Sequence, residues 1–354
     1  MIYTYRYLNH SINQFHDNIA YFFEQLFALN LLAFDATVLF RDDFLLLIQS
    51  SKVLLRRFET IVPTYHQLTN AEQALVQEAF RNNNDIETIC QCGCHPYKYN
   101  DLPSGIREPL KDLFMSLWED YSQFKKVNSA YGTVKNHFDM FVSHNHQDAL
   151  LCPFCGINIL QPSEGLYRDA YDHFIPKAVY PFNSVNFKNL LPICYVCNSN
   201  AKRAKDVPFD DTGAQRAITY PYKNQPDRYV EAHIQYESAY DQSDQTLLSD
   251  TKTLWHVTLT ESGSYTPEMD SWNAIYCIRK RYQDHIGQFE RQWWKEMTKR
   301  YKRRRHTTFD DFKADILDDY NELSAIPMAI LRKAYYSHLF QTPDIDKLIE
   351  ATVA

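Results

Sequence analysis

Glycine is scarce in this chain, with 8 among 354 residues. That count argues against a fold built on glycine-rich turns. An aromatic content of 15 % points instead to helices with aromatic cores. No apolar run reaches the ~20 residues that a membrane span needs. The greasiest stretch, residues 26–40, is interrupted by Asp35 and stopped by Arg41, Asp42 and Asp43. It reads as a buried helix. The first residues lack a basic segment followed by an apolar core, so no secretory signal is expected and the cytoplasm is the expected compartment. Positive charge is not in excess either: 37 Lys+Arg face 44 Asp+Glu, a net charge of −7. The chain as a whole is therefore not a basic nucleic-acid binder, and any contact with DNA or RNA must come from local basic patches. There is no internal repeat and no low-complexity tract. With 45 % hydrophobic and 23 % charged residues, the composition argues against extensive disorder as well.

What is present is mostly helical periodicity. Phe15, Ile19, Phe22, Phe23, Leu26 and Phe27 keep steps of three and four. A second run, 44–61, does the same and is expected to end before Pro63. Thr69 and Glu72 read as a capping box for a helix over 71–80. Residues 86–103 read as irregular. A helix follows from Ile106 to Tyr121 with Leu110, Leu113, Phe114 and Leu117 on one face, and another over 134–143. Beyond residue 206 the pattern changes. Ile218, Tyr220 and Tyr222 alternate with polar residues or proline, and 229–236 and 254–259 have strand composition, so a small antiparallel sheet is expected. An acidic loop, 238–250, lies between them. A long helix starting near Asp270 or Ser271 then carries Ile275, Ile278, Tyr282, Ile286, Phe289, Trp293, Met297 and Tyr301 on its core face. Helices over 308–321 and 326–339 finish the chain. The expected class is mainly α with a small β component. The expected spans are 1–145, helical; 146–215, the core that carries chemistry; and 216–354, sheet plus helices.

Four of the 8 cysteines form two Cys-x-x-Cys pairs, Cys152/Cys155 and Cys194/Cys197. Two such knuckles can supply four thiolates to one tetrahedral Zn²⁺. The insert between them is longer than the ~15–20 residues of a zinc ribbon, so the metal would staple a larger segment. That segment carries Asp172, His173 and Asn189, and Asn198 directly follows the last cysteine. Cys90, Cys92, Cys94 and His95 form a separate cluster. It is crowded for a single tetrahedral ion and reads either as a second zinc site or as reduced thiols. The basic run 299–305 reads either as a DNA grip or as a solvated helix end favoured by the helix dipole.

The ordered set CPFCG, DHFIPK, NLLPIC and CNSNAK resembles the HNH, or ββα-metal, endonuclease family. That family's pattern is a zinc-stapled Asp-His, a middle Asn, and a His or Asn after the last Cys. The resemblance covers about residues 150–206. It implies helical N- and C-terminal regions around a zinc-stapled ββα-metal core. It also implies hydrolysis of DNA phosphodiester bonds, with RNA as the alternative substrate. His173 would be the general base, since a neutral imidazole is available near pH 7. Asp172 and Asn198 would hold a catalytic Mg²⁺ or Mn²⁺ through oxygen. Asn200 is nearby, and Lys202 stands four residues past Asn198 where three is frequent in the family, so which Asn faces the metal stays open. Asn189 would brace the hairpin loop and orient the base. Lys177, Lys202, Arg203 and Lys205 would contact phosphates. The phrasing looks most like nucleases of bacterial defence systems, which often work beside an ATPase or sensor subunit. Each of these residues has a plainer reading: His173 as a satisfied core histidine, Asp172 as a turn cap, Asn198 as a helix cap. A catalytically silent zinc-stabilised binding or scaffold subunit is the rival of a different class.

Overall fold

Apolar residues spaced three and four apart set the helices that dominate the chain. The computed structural model describes residues 1–29, 31, 33–145, 151–161, 168–223, 230–236, 255–303, 308–322 and 326–353. Helix accounts for 58 % and strand for 8 %, in two small sheets, so the mainly helical class with a small β component is the observed one. Two compact units divide the chain, and neither is one continuous span. One comprises Tyr5–Asp148 and Leu160–Asn224. The other comprises Met1–Thr4, Ala149–Ile159 and Gln225–Ala354. These bounds differ from the three spans read from sequence.

The unit around Tyr5–Asp148 opens with α1 (Asn13–Ala28), which buries the expected stripe of Phe15, Ile19, Phe22, Phe23 and Leu26. Then come α2 (Ala36–Leu39), α3 (Asp42–Ile48), α4 (Lys52–His66), α5 (Asn70–Asn84), α6 (Ile86–Cys90), α7 (Ser104–Glu119), α8 (Lys125–Tyr131) and α9 (Val134–Asn145). The capping box forms as expected: Thr69 and Glu72 satisfy each other's backbone at the start of α5. After the helices, β1 (Tyr171–His173) pairs antiparallel with β2 (Leu190–Pro192), placing Tyr171 opposite Pro192 and His173 opposite Leu190. A single π-helical turn, Val196–Lys202, follows. The hairpin is part of the helical core. Tyr171, Phe182, Val185, Phe187 and Leu190 share one buried cluster with α1 and α7. The Phe182 ring meets Phe23, Phe80 and Phe114 at centroid distances of 5.4, 5.4 and 5.3 Å.

Several expectations need correction here. Residues 26–40 are not one buried helix. Alpha1 stops at Ala28, and Asp35 starts α2 by accepting the Thr37 N–H at 3.0 Å, a side-chain bond that competes with helix continuation. The run 44–61 is split between α3 and α4, where Ser51 accepts the Leu54 N–H at 3.3 Å. Alpha4 also continues through Pro63 to His66. A proline in the last turn forfeits a single helical hydrogen bond. Residues 86–103 are not irregular throughout, because Asp85 accepts the Thr88 N–H at 3.2 Å and starts α6. Ile218, Tyr220 and Tyr222 form no strand. They pack on the helical unit instead, with Ile218 N–H donating to the Cys90 carbonyl at 2.9 Å and Tyr222 OH to the Leu190 carbonyl at 2.5 Å.

The other unit holds the second hairpin, β3 (Val230–Tyr236) with β4 (Trp255–Glu261), paired antiparallel from Val230↔Glu261 to Tyr236↔Trp255. The acidic loop 238–250 lies outside the described residues. Five helices follow among the described residues: α10 (Pro267–Tyr276), α11 (Ile278–Arg303), α12 (Phe309–Asp318), α13 (Ala329–Gln341) and α14 (Ile345–Val353). The expected long helix is therefore two. Cys277 breaks it with a left-handed φ of +54° and caps α10 by donating its N–H to the Asn273 carbonyl at 2.7 Å. Asn273 Oδ1 then receives the Arg279 N–H at 2.9 Å and starts α11. Alpha14 had no counterpart in the sequence reading.

Candidate functional site

The first cysteine pair sits in a tight turn. Cys152 N–H donates to the Asn158 carbonyl at 2.8 Å, Gly156 N–H to the Cys152 carbonyl at 2.8 Å, and Ile157 N–H to Cys155 Sγ at 3.4 Å. Gly156 has φ +62°, which favours glycine, and a Cβ there would come within 2.1 Å of Ile2 Cδ1 and displace the tip of that side chain. Trp272 Nε1–H donates to the Phe154 carbonyl at 2.7 Å and Tyr282 OH to the Cys155 carbonyl at 2.9 Å, which fixes the turn. Cys194 precedes the π-helical turn and Cys197 lies within it, and Asn198 N–H donates to the Cys194 carbonyl at 3.0 Å. The four sulfurs of Cys152, Cys155, Cys194 and Cys197 lie within 4.8 Å of one another, all buried. Four convergent thiols are the donor set of a tetrahedral site with Zn–S near ~2.3 Å. The cluster can hold a metal ion such as zinc. Among the described residues it is the one such gathering of His, Cys, Asp or Glu. Cys90, Cys92, Cys94 and His95 form no second centre. Cys90 is buried and Cys92 exposed, and burial pushes the Cys90 thiol well up.

Asp172 and His173 are consecutive residues of β1, and both are buried. His173 Nε2 hydrogen-bonds the Ser184 carbonyl at 2.8 Å. A carbonyl only accepts, so Nε2 carries the proton and Nδ1 is the basic nitrogen of the neutral ring. Trp118 of α7 stands edge-on to the imidazole, with centroids 4.8 Å apart. Asn189 is fully buried and clamps the loop beyond His173. Its Oδ1 accepts the Ile175 N–H at 2.7 Å, its Nδ2 donates to the Ile175 carbonyl at 2.9 Å, and its own carbonyl accepts the Phe174 N–H at 2.8 Å. The loop that carries Ser184 turns at Phe182, whose φ of +78° is unusual for a bulky side chain. Asn183 and Ser184 are buried there, and neither the Asn183 amide nor Ser184 Oγ has a hydrogen-bond partner.

Two of the four basic residues are held by carboxylates of the chain itself. Lys202 is not a surface phosphate contact. Only 1 % of it is exposed, and its Nζ donates to Asp172 Oδ1 and to the His173 carbonyl, each at 2.8 Å. Lys177 Nζ is turned to α7, donating to Glu119 Oε1 at 2.9 Å. Arg203 is exposed and Lys205 half-buried. Asn198 is half-buried, and no hydrogen bond among the described residues joins it to Asp172. Its carbonyl accepts the Arg203 N–H at 2.8 Å, the i→i+5 bond of a π-helix. Asp172 Oδ2 is buried without a hydrogen-bond partner. Such an orphaned carboxylate oxygen suits a hard cation, while Lys202 on Oδ1 opposes one. In the run 299–305, Arg300 pairs with Asp319 and Lys302 Nζ donates to the Val353 carbonyl at 3.0 Å, so part of it is committed within its own unit. Residues 304 and 305 lie outside the described residues.

Burial dominates the electrostatics. It lowers the His173 pKa to about 3, with Lys177 and Lys202 adding to the effect and the Ser184 hydrogen bond opposing it. The ring is therefore neutral near pH 7. Burial raises the Asp172 carboxyl, and Lys202 counteracts this. Sequence reasoning missed the Ser184 carbonyl and Trp118. A main-chain acceptor leaves no mark in side-chain patterns, and Trp118 falls just off the apolar stripe of α7. No family model matches the chain, and no curated protein or solved structure matches it.

Proposed function

We propose that the chain is an endonuclease of the HNH type that hydrolyses phosphodiester bonds of DNA. One observation carries the reading: a neutral imidazole with a committed tautomer adjoins a buried carboxylate on β1, in the stretch of chain that the four clustered cysteines bracket and ahead of a helical turn bearing Asn198. The Ser184 carbonyl holds Nε2–H, so Nδ1 takes the proton from an attacking water. The water oxygen bonds to phosphorus, the bond to the 3′ oxygen breaks, and that oxygen leaves with a proton from solvent. Asn189 keeps the loop after His173 from shifting. A divalent cation held by Asp172, with Asn198 as second oxygen ligand, would supply charge neutralisation at the phosphate. Arg203 is exposed and basic at the end of the π-helical turn, and it serves the flanking phosphates. By the same resemblance we propose cell defence as the setting and an ATPase or sensor subunit as partner.

The test is nicking of supercoiled plasmid with added Mg²⁺ or Mn²⁺, wild type against His173→Ala, with an RNA transcript in parallel. Loss of the base should slow cleavage by ~10²–10⁴-fold. Equal rates overturn the assignment of His173. A second reading is favoured by the Lys202–Asp172 ion pair, which leaves the site without net charge for a metal. That reading is a zinc-held binding module without catalysis. It predicts DNA retention and intact plasmid under every metal condition.

A further inference from the structure

The ammonium of Lys202 stands where the nuclease reading needs a cation. It is bonded to Asp172 Oδ1 and to the His173 carbonyl at 2.8 Å each. The Lys202 and Asp172 side chains are 2 % and 6 % exposed, so the pair is out of water. The backbone around it is unusual. Lys202 is the last residue of the π-helical turn, a rare wound form that often marks functional sites. Arg203 closes that turn at a left-handed φ of +53°. An ordinary surface lysine would need neither feature.

We infer that Lys202 is a resident counter-cation that competes with a divalent ion for Asp172 and so latches the site in the resting chain. This rests on the nuclease reading for its meaning. The carboxylate's second oxygen, Oδ2, has no hydrogen-bond partner, but it belongs to the same group that Lys202 already neutralises. An ion on Oδ2 would lie within a few ångströms of Nζ, where burial leaves like charges poorly screened. Lys202 must therefore swing away before a divalent ion binds tightly. A phosphate bound at the site would offer the released ammonium a new partner. Metal and nucleic acid would then favour each other's binding by the same factor.

Mn²⁺ binding, read by loss of the free-ion electron paramagnetic resonance signal, tests this without any cleavage. Lys202→Met should bind Mn²⁺ at least tenfold more tightly than wild type, and Asp172→Asn/Lys202→Met should lose that gain. Equal or weaker binding by a folded Lys202→Met chain overturns the inference. Should that variant fail to fold, reductive methylation of the wild type decides. Lys202 should resist modification alone and become modified at saturating Mn²⁺. Continued protection at saturation overturns the latch. The two ideas fail separately: plasmid nicking with no competition at Asp172 sinks only the latch, and competition with no nicking sinks only the nuclease.

Discussion

Acid should unfold this protein through its buried histidines. His173 and His137 are 8 % and 2 % exposed, and burial is the first cause that lowers each pKa to about 3. His137 Nδ1 hydrogen-bonds the Tyr171 hydroxyl, and its Nε2 is buried without a partner. In the unfolded chain both rings titrate near ~6.5. Below that pH the unfolded state binds protons that the folded state refuses, so stability falls as pH falls, in the window from 6.5 down to about 3. Each pH unit in the window costs about 1.4 kcal/mol per ring. At pH 5 each ring therefore removes about 2 kcal/mol, against a total stability of roughly 5–15 kcal/mol. Asp172 and Asp169 act the other way. Burial raises both, so the folded chain holds their protons more tightly and gains stability as pH drops into their range. Comparing wild type with His137→Asn cancels those groups, and asparagine keeps a polar partner for Tyr171. Urea unfolding followed by circular dichroism at pH 8, 7, 6 and 5 should show the variant losing about 2 kcal/mol less than wild type between pH 8 and pH 5. Equal losses would refute the assignment of the pH sensitivity to this ring.

Other outcomes follow from the same contacts. Mass spectrometry of the native chain should find one zinc ion, and Cys194→Ser should lose it together with several kcal/mol of stability; a chain with full stability and no metal refutes the four-thiolate site. Asn189→Ala strips partners from both the buried N–H and the carbonyl of Ile175, which should cost about 2–4 kcal/mol in a denaturant titration. At Phe182 the usual order of substitutions should invert. Loss of the ring costs ~3–5 kcal/mol in either case, but at φ +78° glycine relieves strain that alanine keeps, so Phe182→Gly should have the higher urea midpoint of the two.

Much of the helical scaffold was legible because steps of three and four report which face is buried. The capping box of α5 and the stripe of α1 appear as read. What failed was punctuation. Asp35, Ser51 and Asp85 start new helices by bonding backbone N–H groups, and each interrupts a run that looked continuous or irregular by hydropathy. Cys277 ends a helix at a left-handed angle that its side chain does not announce. The four cysteines were readable because thiol spacing is itself the geometry. Lys202 was not, since a lysine near a basic helix end reads as exposed. Only the fold reveals that Asp172 faces it.

The π-helical turn gives chain length some slack. At 3.6 residues per turn in an ordinary helix, one residue is worth about 100° of rotation. Deleting Ser199 or Asn200 would let the segment rewind to an ordinary helix, in which three residues sweep nearly the angle that four sweep now, so the ammonium at its end should keep its place on the carboxylate. Loss of one codon is then tolerated at a place where, in an ordinary helix, it would turn every later side chain.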